Sequence, residues 1–431
     1  MYDLGIIGGE AYINGQFTKV NLYIQDGKIS KIDCALNKCL KTYDVSGKKV
    51  LPGIIDPHVH FDLRGNNFVS SDDFRSGSIS AAYGGITTIL DFLDPICQGS
   101  ALEKALIARK ECAKECVIDY GFHVTIKNPK LEVEAIVSEM KRLGLHRVKL
   151  FTTYSDSGRR TYDAEIRELL TYGAKEDLLV LAHIEADDQI RMEDTYKPSD
   201  LVKSRPASSE TDEALKLAEM VKETGGKLYM VHCSSGQTVK NLVESFKDII
   251  NKRFFIESCP HYFVFNEAIV QGEKGGLFTM APPLRNKADQ DQLVEQIDDV
   301  MTIGTDHCPF MKAEKQRDFL KEIPMGIGGV EHAFSIMYEL FGEKIIDKMT
   351  LNPAKIHGLY PRKGIIQVGS DADIVIFEEK QRTITNDHSR CDYTVYEGFE
   401  VHTKVVSTLV RGEFVVKEGC FLGGCGEYIK G

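Results

Sequence analysis

The sequence predicts an α/β protein: a closed (β/α)8 barrel of the TIM type, with a small β-sandwich domain formed by both chain ends. Three observations predict it. Eight apolar, strand-like runs alternate with amphipathic stretches through the middle of the chain, the pattern of a parallel sheet with crossover helices. Both ends carry instead short β-rich segments parted by glycine-containing turns. Finally, histidine, lysine and aspartate cluster at the ends of the apolar runs, where barrel enzymes carry their sites. The expected division is residues 1–50 and 362–431 for the sandwich and 51–361 for the barrel.

Composition sets the outer bounds. The chain has 431 residues, enough for one large domain and a smaller one. Hydrophobic residues make up 42% and charged residues 27%, a balance that suits a globular protein rather than a disordered one. The formal charge of -11 disfavours non-specific nucleic-acid binding, and no long basic run reverses that. The opening residues lack a basic stretch followed by a long apolar core, so no signal peptide is expected. No apolar segment is long enough to span a bilayer. The cysteines number eleven, without the dense spacing of a secreted scaffold, and are expected as free thiols in a reducing cytoplasm.

Within the first fifty residues, Ile6-Ile7, Ala11 to Ile13, Val20 to Ile24 and Lys28 to Ile32 read as short strands. Asn14-Gly15 and Asp26-Gly27 separate them, and both dipeptides tolerate the positive φ of a tight hairpin. The barrel strands are expected at Ile54 to His60, Ile86 to Phe92, Ile118 to Ile126, Arg147 to Thr153, Leu178 to Ile184, Lys227 to His232, Phe254 to Ser258 and Met301 to Thr305. Amphipathic stretches such as Ser100 to Cys116, Leu131 to Leu143, Asp163 to Lys175 and Thr211 to Thr224 supply helices between them. An open doubly wound sheet is the alternative, but no G-x-G-x-x-G follows the first strand. Strand grammar returns at Gly364 to Phe377 and His402 to Lys417.

The strand ends carry the chemistry. The run LPGIIDPHVH ends in His58 and His60, and residues two apart on a strand share a face. Lys149 lies in the fourth strand, His183 ends the fifth, His232 ends the sixth, and Asp306 ends the eighth. Each alone reads as a hydrogen-bonded structural residue; one barrel mouth would gather them all, and imidazoles with a carboxylate are metal donors. Lys149 is the exception, because an ammonium repels a cation. Burial favours its neutral amine, which adds carbon dioxide to give a carbamate able to bridge two metals. The alternative is an ammonium paired with Asp306. Cys233, Cys259 and Cys308 beside the strand ends read as core thiols rather than soft ligands. Asp91 and Glu185 stand as candidates to orient a ligand or to satisfy backbone donors, and His261 and His307 as packing or supporting residues.

The ordered set His58-x-His60, Lys149, His183, His232 and Asp306 resembles that of the cyclic amidohydrolases in the amidohydrolase superfamily, with PGIIDPHVH, VKLFTTY, VHCSSG, APPLR, GTDHCPF and GSDADIVIF extending the likeness over nearly the whole chain. It looks closest to dihydropyrimidinases and hydantoinases. The resemblance implies one metal on His58, His60 and Asp306 and a second on His183 and His232, joined through carboxylated Lys149. Zinc is the usual ion in such proteins, with manganese as the alternative. It also implies Asp306 as the proton carrier, Tyr154 as a catalytic and substrate-binding hydroxyl, and a small cyclic amide as substrate, within a homo-oligomer, dimeric or tetrameric.

The ring itself is less legible. Dihydroorotases usually carry arginine two residues after the second histidine, where this chain has Asp62. Hydantoinases usually have Ser-Pro-Pro-Leu-Arg and Pro-Asn-Gly; here Ala281 opens the first motif and Met325 occupies the middle of the second. Backbone groups at Ala281 and Met325 are therefore the expected ring contacts. Ala-Pro-Pro also resembles allantoinases, which keeps that substrate open. A metal-free scaffold relative and an enzyme for acyclic amides are the remaining alternatives; the filled ligand set speaks against the scaffold.

Overall fold

Asn14 and Gly15 both adopt positive φ, as do Asp26 and Gly27, and at each pair the chain doubles back into a hairpin. From such turns the computed structural model, which describes residues 1–65 and 67–430, builds two small sheets. One has four strands: Tyr2–Ile7, Asn21–Gln25, Lys28–Asp33 and Cys39–Asp44. The other joins Glu10–Ile13, Gln16–Lys19 and Lys49–Pro52 to Ile374–Glu378, Lys404–Val410, Glu413–Lys417 and Cys420–Phe421. Leu4, Ile6, Leu22, Ile24, Ile374 and Leu409 belong to the shared apolar core that makes the pair a sandwich.

The C-terminal strand Ile374–Glu378 pairs antiparallel with Lys49–Pro52, setting Val375 opposite Leu51. Within the β-rich stretch expected over Gly364 to Phe377, the strand occupies the end and the glycine-containing turns precede it. Gly364 and Gly369 take positive φ, so the residues before Ile374 turn instead of extending. Gly53 then passes the chain into the barrel. A Cβ there would stand 2.0 Å from Thr87 Oγ1, so only glycine permits this approach.

The barrel strands are β1 Ile54–Asp56, β2 Ile86–Phe92, β3 Asp119–Thr125, β4 Arg147–Phe151, β5 Leu179–His183, β6 Lys227–Met230, β7 Phe254–Ser258 and β8 Thr302–Ile303. They neighbour one another in chain order, all pairs parallel. Every residue of β2 and β3 is buried, as expected where helices cover one face and barrel packing the other. Helices such as Val133–Leu143, Asp163–Glu176, Ala207–Thr224 and Gly236–Phe246 form the outer layer. Asp73 starts the helix Phe74–Tyr83 with a reciprocal capping box to Ser76.

β1 and β8 are shorter than expected because the ladder ends early at the closure. Past Asp56 the backbone joins the segment after β8: His60 N–H donates to His307 O and Asp306 N–H to His58 O, each at 2.9 Å. The two metal-type histidines therefore lie just beyond β1, in the segment that closes the cylinder. No helix among the described residues is long and apolar enough to cross a membrane.

Where the sandwich meets the barrel, Asp119, Asp371 and Asp373 come together as a possible cation site. A lysine fills it. Lys363 Nζ stands 2.7 Å from Asp119 and 3.3 Å from Asp371 and also bonds Asp373, and its side chain is 1% exposed. Arg411 adds a second cation to Asp119. Lys363→Met leaves buried carboxylates facing one another and is expected to cost ~3–5 kcal/mol, read as a lower denaturation midpoint in urea.

Candidate metal centre

Closure of the barrel brings His58 Nε2 within 3.2 Å of His60 Nε2. Asp306 Oδ1 lies 3.2 Å from the first and 3.1 Å from the second. Beside this trio, His183 Nδ1 faces His232 Nε2 at 3.0 Å, and the rings of His58 and His232 are 5.4 Å apart. Two groups of donors thus adjoin at one barrel mouth. His232 and Asp306 hold positive φ angles of 41° and 50°, strain that bulky side chains adopt where the surroundings impose it.

The outward sides of the rings explain the inward chemistry. His58 Nδ1–H donates to Glu257 Oε1 at 2.7 Å, and His183 Nε2–H donates to Glu185 Oε2 at 2.6 Å. With those protons committed outward, His58 Nε2 and His183 Nδ1 present bare lone pairs inward. Burial holds His183 down to about 4 and pushes His60 and His232 below the usual histidine value, which favours the neutral form of those three rings. Burial alone would raise Asp306, but His58 and His60 hold it well below the usual carboxylate range. The inward lone pairs of His58 and His183 and the Asp306 carboxylate converge on one space, and these donor types suit a divalent metal. His232 Nδ1 is buried without a partner among the described residues, while its Nε2 faces His183 Nδ1.

Lys149 points into the same space from β4. Its nitrogen stands 5.4 Å from the ring centres of both Phe92 and Phe151. It forms no ion pair with Asp306, whose Oδ1 is engaged by the two histidines. Burial depresses its pKa to about 7, against the pull of Asp306 and Glu257. The amine is thereby available in its neutral form near neutral pH, the form that adds carbon dioxide.

Glu185 proves to be an orienting group, fixed in turn by Arg205 Nη2 at 2.6 Å. Asp91 instead serves Arg109 and the Phe61 backbone. Glu257 escaped the sequence reading, yet it receives His58, the His232 backbone and Tyr229 Oη together. Its only signal was a lone acid in the apolar run FFIES. His307 bonds Asp72 through Nε2 and accepts the Gly329 and Val330 backbone donors at Nδ1, a supporting role. Cys233, Cys259 and Cys308 are buried free thiols whose pKa values burial pushes up.

A cavity of about 750 Å³ opens over these donors and is lined by Tyr154, Ala281 and Met325 as well. Tyr154 sits at φ 68° with its ring centre 5.2 Å from that of His183. Burial pushes its hydroxyl pKa up, keeping it a proton donor. Ala281 and Met325 flank backbone stretches tied together by Lys315, a second residue the sequence reading missed. Its buried nitrogen lies 2.7 Å from Thr279 O, 2.8 Å from Pro324 O and 2.9 Å from Gly326 O.

Comparison with known proteins agrees with this geometry. The amidohydrolase family model matches residues 49–415. D-hydantoinase of Geobacillus stearothermophilus is 34% identical over 96% of this chain and 93% of its own length. Among solved structures, D-hydantoinase from Bacillus sp. AR9 superposes with a TM-score of 0.94 at 30% identity, covering 99% of both chains. Dihydropyrimidinase from Brevibacillus agri gives 0.92 at 30% identity, over 99% of this chain and 98% of that one.

Proposed function

This chain belongs to the amidohydrolase family, and from that premise we propose that it hydrolyses the C–N bond of a cyclic amide or imide, of dihydropyrimidine or hydantoin type, to an N-carbamoyl amino acid. The observation that carries this reading is the convergence of histidine and carboxylate donors within a cavity of about 750 Å³, large enough for a substituted ring. His58, His60 and Asp306 would hold one divalent ion and His183 and His232 the other, with Lys149 as its carbamate between them. Zinc suits this nitrogen and oxygen set, and manganese is the alternative. When bound, such a pair supplies an acidified water and polarises the ring carbonyl.

The chain's own groups do the rest. The Asp306 carboxylate accepts the proton of the attacking water as its oxygen bonds to the ring carbonyl carbon. Tyr154 Oη–H donates to the oxygen that gains charge in the tetrahedral state. Asp306 then returns the proton to the ring nitrogen as the C–N bond breaks, leaving a ureido group and a carboxylic acid that ionises to solvent. Backbone groups at Ala281 and Met325 position the ring, and the Lys315 clamp holds those stretches in place.

The test is a ring-opening screen of protein loaded with zinc or manganese against dihydrouracil, hydantoin, dihydroorotate and allantoin. Loss of ring absorbance with a ureido product is expected for the first two. Opening of allantoin alone would reject the substrate class, and no opening by metal-loaded protein would reject the activity.

A further inference from the structure

Six cationic side chains line the cavity: Arg64, Arg109, Lys149, Arg159, Arg205 and Lys321. Four have acidic partners: Arg64 with Asp62, Arg109 with Asp91, Arg205 with Glu185 and Lys321 with Asp194. Lys149 belongs to the metal centre. That leaves Arg159, whose guanidinium pairs with no carboxylate among the described residues. A charge held in a half-buried wall with nothing to balance it is a group awaiting an anion.

Its loop is built to hold it there. Asp187 accepts from the Ser155 backbone at 3.1 Å and from Arg160 Nη1 at 3.2 Å, pinning the loop near both ends. The Gly158 backbone donates to Ser155 O and the Arg159 backbone to Tyr154 O, at 3.1 and 3.0 Å. The chain thereby folds back so that Arg159 returns beside Tyr154, next to His183. Its neighbour Arg160 is spent on Asp187 and the Tyr162 ring; Arg159 is not. The cavity's other carboxylates do not neutralise it. Asp94 and Asp156 lie on the exposed rim, Asp187 is held as described, and Asp306 belongs to the histidines.

We propose that Arg159 is a specificity-determining residue that receives a carboxylate on the substituent of the substrate ring, so that the preferred substrate is a cyclic ureide with an acidic side arm. The inference rests on the ring-opening reading above. A planar guanidinium takes a carboxylate through two parallel hydrogen bonds, which a neutral amide of the same shape cannot reproduce.

The experiment compares a hydantoin bearing a carboxyethyl group with its carbamoylethyl isostere on metal-loaded protein. The acid is expected to have a kcat/KM about 10- to 100-fold above the amide, carried mainly by KM. Arg159→Gln should bring the ratio to about one, and Arg159→Lys should restore part of it, because a point charge replaces a fork. Equal use of the two substrates by the unaltered protein, or equal losses for both in Arg159→Gln, would overturn the assignment and leave ring opening standing. Calorimetric binding of N-carbamoyl glutamate against N-carbamoyl glutamine gives a readout that needs no turnover. Preference for the first, lost in Arg159→Gln, supports the assignment even if no ring is opened; absence of preference contradicts it.

Discussion

Lys149→Ala is expected to abolish ring opening, with kcat falling on the order of a thousandfold or more, because the ions it would bridge supply several kcal/mol of transition-state stabilisation. Metal content should fall with it, since the histidines form two separate groups and only a carbamate on Lys149 would join them. The measurement is kcat alongside elemental analysis of dialysed protein; an alanine variant with full metal and full turnover would contradict the bridging role. The amine also predicts a pH dependence in metal-free protein. Its folded pKa is lowered to about 7 from 10.5, so between those values the unfolded amine holds a proton that the folded one lacks. The stability contribution of Lys149 therefore rises with pH across that window, and the burial penalty is fullest below pH ~7. Denaturant titrations of metal-free wild type and Lys149→Met should diverge in this way, the variant lacking that rise.

Asp306→Asn should lower kcat by about 100- to 10,000-fold, the range associated with losing a positioned proton carrier. The amide oxygen still faces His58 and His60, so the fold and the His183–His232 pair should persist. What would be lost, on the proposed mechanism, is a group that takes a proton from water and gives it to nitrogen. Because His58 and His60 hold Asp306 well below the usual carboxylate range, the wild-type carboxylate stays ionised through neutral pH. Steady-state kinetics on both proteins at matched metal content checks this; a variant losing less than tenfold would move the proton duty elsewhere.

The long barrel strands were legible because nothing interrupts their apolar runs. Ile86 to Phe92 and Phe254 to Ser258 coincide with β2 and β7. Where the ladder gives way to a functional segment, periodicity misleads. The stretch from Pro57 to His60 keeps strand-like alternation, yet it serves barrel closure. The edge strands Gln16–Lys19 and Cys39–Asp44 went unread because they are largely exposed and polar, without an apolar face to reveal them. Donor residues at successive strand ends could be read as one cluster because barrel topology alone brings them together. Glu257 and Lys315 could not, since an acid in a strand or a lysine in a loop announces its partners only after folding. Arg159 was hidden likewise: its significance is the absence of a partner, which requires knowing where the neighbouring carboxylates point.

The most direct test of the central claim is diffraction from crystals of metal-loaded protein, recorded at the absorption edge of the metal. Two anomalous peaks are predicted, one among His58, His60 and Asp306 and one at His183 and His232, with continuous density extending Lys149 Nζ between them. A single peak, or an unextended amine at Lys149 with both ions in place, would contradict it.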